Sequence, residues 1–346
     1  MDHARLKSRF HSFYPDKFFL EYSVSGVNEY LSGKNWLLDN ENVTGLEKPG
    51  EGNMNLVLRV KTNIRSFILK QARPWVEKYP HIPAPVERNH VETEYYLIIS
   101  KDKILHAFSP EVLGYDKDNF MVMYNDLGDS VDFSYLYKNG NRLLPDEKKD
   151  LLGYVSALHH FDSPAFPFNG SMRELNHEYI FRIPFQEDNG IDLDAVQPGL
   201  KTASLPYTEN LPLRKAIGQL GKYYLMEGPV LIHGDFFPGS WLKSGSGIKI
   251  IDPEFGFKGY GEFDLGVMIA HMLMAGQGME MVESILEDYD PPAGFDPRLL
   301  AGFAGTEVLR RILGVAQLPL ALSLEDRINL MKSAEEWIMT KKIELL

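Results

Sequence analysis

Apolar and polar positions alternate from Val43 onward. Leu56, Leu58 and Val60 fall on one side and Val57 and Arg59 on the other, the two-residue period of a β-strand. Ser66 to Lys70 reads as a second strand, and the polar stretch 61–65, with Asn63, suits a hairpin connection between them. The spacing predicts an antiparallel sheet. Past Pro74, Pro80, Pro83 and Pro85, residues 86–100 place Val91, Tyr95, Leu97, Ile98 and Ile99 at helical positions, and residues 120–124 form another short apolar strand. Before residue 43, Tyr30, Leu31, Trp36, Leu37 and Leu38 read as short helical pieces packed on something else.

The pattern changes at the turn-like Asn125–Asp129. Residues 146–161, with Leu151, Leu152, Val155 and Leu158, then 262–276 and 324–346, all repeat at helical spacing. Two exceptions interrupt the helices. Val230–Ile232 is an apolar run ending in His233, Gly234 and Asp235, and residues 240–252 hold two alternating segments joined by Ser244–Gly247, a small hairpin. The fold class expected is α+β: an antiparallel sheet with a helix over residues 1–125 and a mainly helical part over 126–346. No repeat of fixed period is present.

Composition narrows the chemistry. At 346 residues the chain is long enough for two packed units of roughly 150 residues each. With 44% apolar and 24% charged residues it is neither disordered nor low in complexity. A net charge of −12 without a cationic cluster repels a nucleic-acid backbone, so no nucleic-acid partner is expected. The absence of Cys removes disulfides, thiol nucleophiles and sulfur-bound metals. No apolar run is long enough to span a bilayer, and the first residues do not resemble a signal peptide, so the expectation is a cytoplasmic protein without a membrane partner. A homodimer stays open.

Four constellations carry candidate chemistry. Gly50 and Gly52, with Asn53 and Asn55, precede a strand and could bring backbone N–H groups to phosphate, although such a turn is more often only a turn. Lys70 ends the strand after the glycines, so its amine either snorkels to solvent or lies beneath the same phosphates. Glu92 is the expected partner, because Tyr95 and Tyr96 mark its inward face, with Glu94 as the fallback. Asp235, on the loop after the apolar run, can take a proton from an attacking hydroxyl or serve as a turn residue. Asp252 and Glu254 flank Pro253, which biases Asp252 toward an extended backbone; two carboxylates there suit Mg²⁺, or the stretch is an Asp-Pro turn at a strand end.

In this order the stretches resemble the aminoglycoside phosphotransferase and choline kinase group of kinase-like folds, and within it the 5-methylthioribose kinase family most closely. GEGNMNLVLRV and FILKQARPWV are similar to that family's glycine loop and lysine strand; LIHGDFFPGSWL and KIIDPEFGFKGYGEFDLG are similar to its catalytic and metal loops. LRRILGVAQ, with Arg310 and Arg311, resembles the arginine pair near its sugar substrate. Asp-Pro-Glu in place of Asp-Phe-Gly, and Ser240 where most kinase-like enzymes carry Asn, are shared with the methylthioribose enzymes. Phe236, Phe237 and Pro238 depart from the family's Leu, His and Thr, and the chain is shorter than its usual members. Coverage runs from about Gly50 to Gln317 with long gaps.

The resemblance implies a two-lobed protein kinase-like fold and an ATP- and Mg²⁺-dependent kinase whose acceptor is a small alcohol or sugar. Lys70, held by Glu92, would contact the α- and β-phosphates under the Gly50–Asn55 loop, and Met123, Tyr124, Asn125 and Asp126 would offer backbone groups to adenine. Asp235 would orient or deprotonate the acceptor, and Asp252, Glu254 and Ser240 would carry the metal. Arg310 and Arg311 would lie near the substrate; as helix neighbours they point about 100° apart, so one is expected to face it directly. Asp264 is expected to cap its helix and tie it to the catalytic loop. His159 and His160 read as structural. Aminoglycosides, choline-like amines, a catalytically silent nucleotide-binding protein and a metal-dependent phosphoesterase are the alternatives.

Overall fold

The structure is a computed structural model that describes residues 3–50, 52, 54–163 and 165–344. The chain forms two compact units, residues 1–101 with 109–129, and residues 102–108 with 130–346.

In the first unit the alternating segments become strands β1 (Val43–Glu47), β2 (Leu56–Thr62), β3 (Ser66–Gln71), β4 (Val112–Asp116) and β5 (Met121–Asn125). They form one antiparallel sheet in the order β1-β2-β3-β5-β4. The two-residue period sorts the side chains: Leu58, Val60, Phe67, Leu69, Met121 and Met123 share one buried cluster, which Leu20, Val27 and Leu31 cover from the N-terminal segment. Ile68 and Lys70 point to the opposite face, where helix Arg88–Ile99 lies.

The N-terminal apolar residues fold as helices His3–Phe13 and Val24–Gly33; Trp36–Leu38 lie outside both, with the Trp36 ring crossing β4 at Gly114. Strand β4 was not legible in the sequence, since four of its five residues are half-buried and carry no clean alternation.

In the second unit, helix Gly261–Met274 is buried along its whole length, which accounts for its nearly uniform apolar character. Helix Pro297–Leu313 packs on it, and helix Leu324–Thr340 packs on Pro297–Leu313. The last helix stops at Thr340 rather than running to the C-terminus, because Lys341 turns left-handed at φ 62°. Two small sheets carry the loops of interest. Strands β6 (Val131–Asp132), β8 (Trp241–Ser244) and β9 (Gly247–Ile250) form one, and β7 (Val230–Ile232) with β10 (Phe257–Gly259) the other. The expected hairpin is β8–β9, with its turn over Ser244–Gly247.

Thus β7 delivers His233–Asp235 and β9 delivers Asp252. Gly234 makes the first delivery possible: its φ is +82°, and a Cβ there would sit 2.3 Å from the Phe255 carbonyl oxygen. Gly234→Ala should lower stability by at least about 1–3 kcal/mol from backbone strain alone, read as a reduced urea midpoint. An unchanged midpoint would mean that the loop relaxes freely.

Candidate active site

In the first unit, Lys70 and Glu92 meet as the strand and helix periods require. The Nζ lies 2.9 Å from Oε1 and 2.7 Å from Oε2, with both side chains at most 5% exposed. Glu94 is not the partner; it lies on the His90 side of the helix, a third exposed. Arg88, fully buried one turn earlier, anchors the glycine loop by donating to the Met54 carbonyl and, through Nε, to Asn55 Oδ1. Asn55 thus holds the loop's end in place. Gly50 and Gly52 lie in irregular backbone before β2, and Asn53 falls outside the described residues.

At the end of β5, Met123 and Tyr124 are buried and pair with Leu69 and Ile68. Asn125 exchanges two hydrogen bonds with Glu111, and Asp126 is taken up by Arg59, Ser66 and the Gly128 N–H. The side chains of Asn125 and Asp126 are therefore spent on their own unit.

The second unit builds its loop on one buried carboxylate. Asp264 accepts the His233 N–H at 2.6 Å and the Gly234 N–H at 2.9 Å. It ties helix to loop as expected but does not cap its helix: Tyr260 is the N-cap, and both Asp264 oxygens go to the loop. Buried His159 lies 3.4 Å from Asp264 and 2.6 Å from the Tyr289 hydroxyl, consistent with a structural role. His233 is a strut. Burial pushes its pKa down, its Nε2–H donates to the Ile251 carbonyl, and its Nδ1 accepts from the Asp235 N–H. Ser240 adds a second link, its hydroxyl donating to the Asp235 carbonyl and its own carbonyl accepting from Ile251 N–H. The Asp235 and Asp252 loops are thereby fastened to each other.

Asp252 is not extended, contrary to the proline argument. Its backbone is left-handed, at φ 60° and ψ 47°. Pro253 does disfavour the right-handed helical region, but a short polar Asp tolerates the left-handed one, which turns the chain into the tight Pro253–Phe255 turn. Glu254 is buried and Asp252 half-buried. Among the described residues no group of three or more His, Cys, Asp or Glu could hold a metal ion by itself. Two hard carboxylates on one loop fit Mg²⁺, which takes much of its shell from water and phosphate oxygens, better than a zinc or calcium cage.

Arg310 and Arg311 both approach Asp235, although their side chains leave the helix about 100° apart. Arg311 Nη2 lies 3.2 Å and Arg310 Nη2 3.8 Å from Asp235 Oδ1. The 100° separation describes where the side chains leave the helix, and two long side chains can close it. Glu307 draws them together, accepting from Arg310 Nε at 2.6 Å and Arg311 Nε at 2.8 Å. The Arg311 guanidinium also lies 4.9 Å from the Phe237 ring centroid, a cation–π contact. Behind Glu307, His271 Nε2 lies at 2.9 Å and His271 Nδ1 accepts from the Tyr137 hydroxyl at 2.5 Å. Burial lowers His271 to a pKa of about 4, so it is neutral. Burial also raises Asp235 from its ordinary value, against the downward pull of Arg311 and Arg310. For Glu307 the burial penalty is outweighed by the two guanidiniums and His271, which hold it well below its ordinary value. Sequence reasoning missed Glu307, His271 and Tyr137; only Glu307, three and four residues before the arginines, carried a local signal.

The phosphotransferase enzyme family matches residues 45–303. A methylthioribose kinase of Exiguobacterium sibiricum is 29% identical over 257 residues, which cover 69% of this chain and 63% of that protein. The matched stretch therefore spans less than two thirds of that relative's length. Among solved structures, a choline kinase from Streptococcus pneumoniae superposes with a TM-score of 0.52 at 14% identity, covering 91% of this chain and 98% of its own. A spectinomycin phosphotransferase, in complex with ADP and spectinomycin, gives 0.53 at 13% identity, with 93% and 99% covered. The expected α+β, protein kinase-like fold is the fold these proteins share.

Glu307 makes acid stability testable. Because its folded pKa lies below the unfolded value of about 4.3, the unfolded chain protonates first on acidification. Its contribution is complete above that pH and is lost as pH falls from there toward the folded value. The gap in urea midpoint between the parent chain and Glu307→Gln should accordingly narrow from pH 7 to pH 3.5, and a constant gap would contradict an ionised, paired Glu307.

Proposed function

Because this chain belongs to the phosphotransferase enzyme family, we propose that it transfers the γ-phosphoryl group of ATP to a hydroxyl of a small, uncharged sugar-like acceptor, 5-methylthioribose being the leading candidate. The observation that carries this reading is Asp235, a quarter exposed, on a loop fixed by Asp264 and flanked by two guanidiniums. In the transfer, the acceptor oxygen forms the new bond to phosphorus as the bond to the ADP oxygen breaks, and the hydroxyl proton passes to Asp235. Such chemistry needs positioning and charge stabilisation more than covalent help.

The other roles follow by unit. In the first, Lys70, held by Glu92, contacts the α- and β-phosphates, the loop from Gly50 to Asn55 covers them, and backbone groups of Met123–Asp126 meet adenine. In the second, Asp252 and Glu254, with Ser240 holding their loop to Asp235, are the residues that would hold Mg²⁺. When bound, Mg²⁺ would offset the charge of the phosphates. A cytoplasmic place, where ATP is at hand, fits this reading. A phosphoesterase would leave the buried Lys70–Glu92 pair without a task.

Charge balance favours an uncharged acceptor over choline-like or aminoglycoside cations. Asp235 and Glu307 face Arg310 and Arg311, two carboxylates against two guanidiniums, so the cluster has no surplus anion for an ammonium group. What it offers is N–H donors, which suit sugar oxygens.

Two outcomes follow. Asp235→Asn should cut turnover at least about 100-fold while leaving the thermal shift produced by ADP unchanged; normal turnover removes Asp235 as the base. In a coupled assay, kcat/KM for 5-methylthioribose should exceed that for choline or spectinomycin by at least about tenfold. A preference for either cation would overturn the acceptor class while leaving phosphoryl transfer in place.

A further inference from the structure

Each guanidinium in the cluster is held along one edge, and a single carboxylate holds both. Arg310 and Arg311 give their Nε–H groups to Glu307, and in each it is Nη2 that approaches Asp235. Nε and Nη2 lie on a common edge of the planar group, so fixing Nε fixes the plane in which the outer donors lie. Side chains leaving the helix about 100° apart would otherwise diverge. Glu307 is fixed in turn from a different helix, by the neutral His271, and His271 by Tyr137. Arg310, the most exposed of these five side chains, is only 8% exposed, so little room exists for another arrangement.

We propose that Glu307 is a positioning residue for the acceptor: it clamps Arg310 and Arg311 into one donor edge beside Asp235, and His271 and Tyr137 hold the clamp from behind. The donor edge suits an acceptor with ring or hydroxyl oxygens near the reacting hydroxyl. The inference rests on the kinase reading for the identity of the acceptor, while the clamp itself rests on the hydrogen bonds alone.

The test uses Glu307→Gln, Tyr137→Phe and the unaltered 346-residue chain, with 5-methylthioribose as probe acceptor. The KM for the acceptor should rise at least about tenfold in Glu307→Gln and about two- to fivefold in Tyr137→Phe, with the KM for ATP within about twofold of the parent in both. In a background with Arg310→Ala and Arg311→Ala, adding Glu307→Gln should change the acceptor KM less than about twofold, because the clamp has nothing left to hold. A glutamate that merely supports the fold would cost the same in both backgrounds, and that result overturns the proposal. So does an acceptor KM within twofold of the parent in both folded single variants; if Glu307→Gln does not fold, Tyr137→Phe decides alone.

If the parent turns over none of the acceptors, the kinase reading fails, and the clamp is judged by NMR. Slowly exchanging Nε–H signals of Arg310 and Arg311 in the parent should broaden in Tyr137→Phe, and signals that stay sharp overturn it.

Discussion

Asp264 sits inside an apolar helix, and its charge is tolerable there because two backbone N–H groups of the next loop are aimed at it. The helix gains a satisfied carboxylate and the loop a fixed conformation. From that point the second unit's site can be followed residue by residue. Gly234 supplies the backbone turn that both N–H groups need. His233, neutral and buried, and Ser240 then fasten the Asp235 loop to the Asp252 loop, so the orientation of one carboxylate constrains the other.

Around Asp235 the same logic applies to charge. Burying four ionised side chains would be costly if any lacked a partner, and a buried pair is weak evidence for stability by itself. Here each carboxylate faces two guanidiniums and each guanidinium two carboxylates, which leaves the cluster balanced, and only Asp235 keeps a quarter of its side chain exposed. In the proposed function this arrangement presents one base, and its donors, to a bound acceptor.

Much of this is legible in the sequence because it depends on short periods. The alternation in β2 and β3 put Lys70 opposite Leu69, and the apolar spacing of the following helix turned Glu92 rather than Glu94 inward. The His-Gly-Asp and Asp-Pro-Glu stretches were legible because polar groups follow short apolar runs. What escaped depended on three-dimensional detail. Strand β4 lacks alternation, and the left-handed Asp252 reflects a choice that Pro253 narrows without making. The convergence of the arginines depends on side-chain reach, which helical angles do not count. Tyr137 and His271 lie 134 residues apart in sequence, so nothing local could join them. Glu307 could have been found, since a carboxylate three and four residues before two arginines is a ready ion-pair partner.

The proposed transfer requires an acceptor hydroxyl within reach of Asp235. A crystal structure with 5-methylthioribose and a non-hydrolysable ATP analogue should place the reacting hydroxyl about 2.6–3.2 Å from an Asp235 oxygen, with Arg310 or Arg311 donating to a neighbouring oxygen of the sugar. A sugar bound beyond hydrogen-bond reach of Asp235, with both arginines facing away from it, would contradict the account.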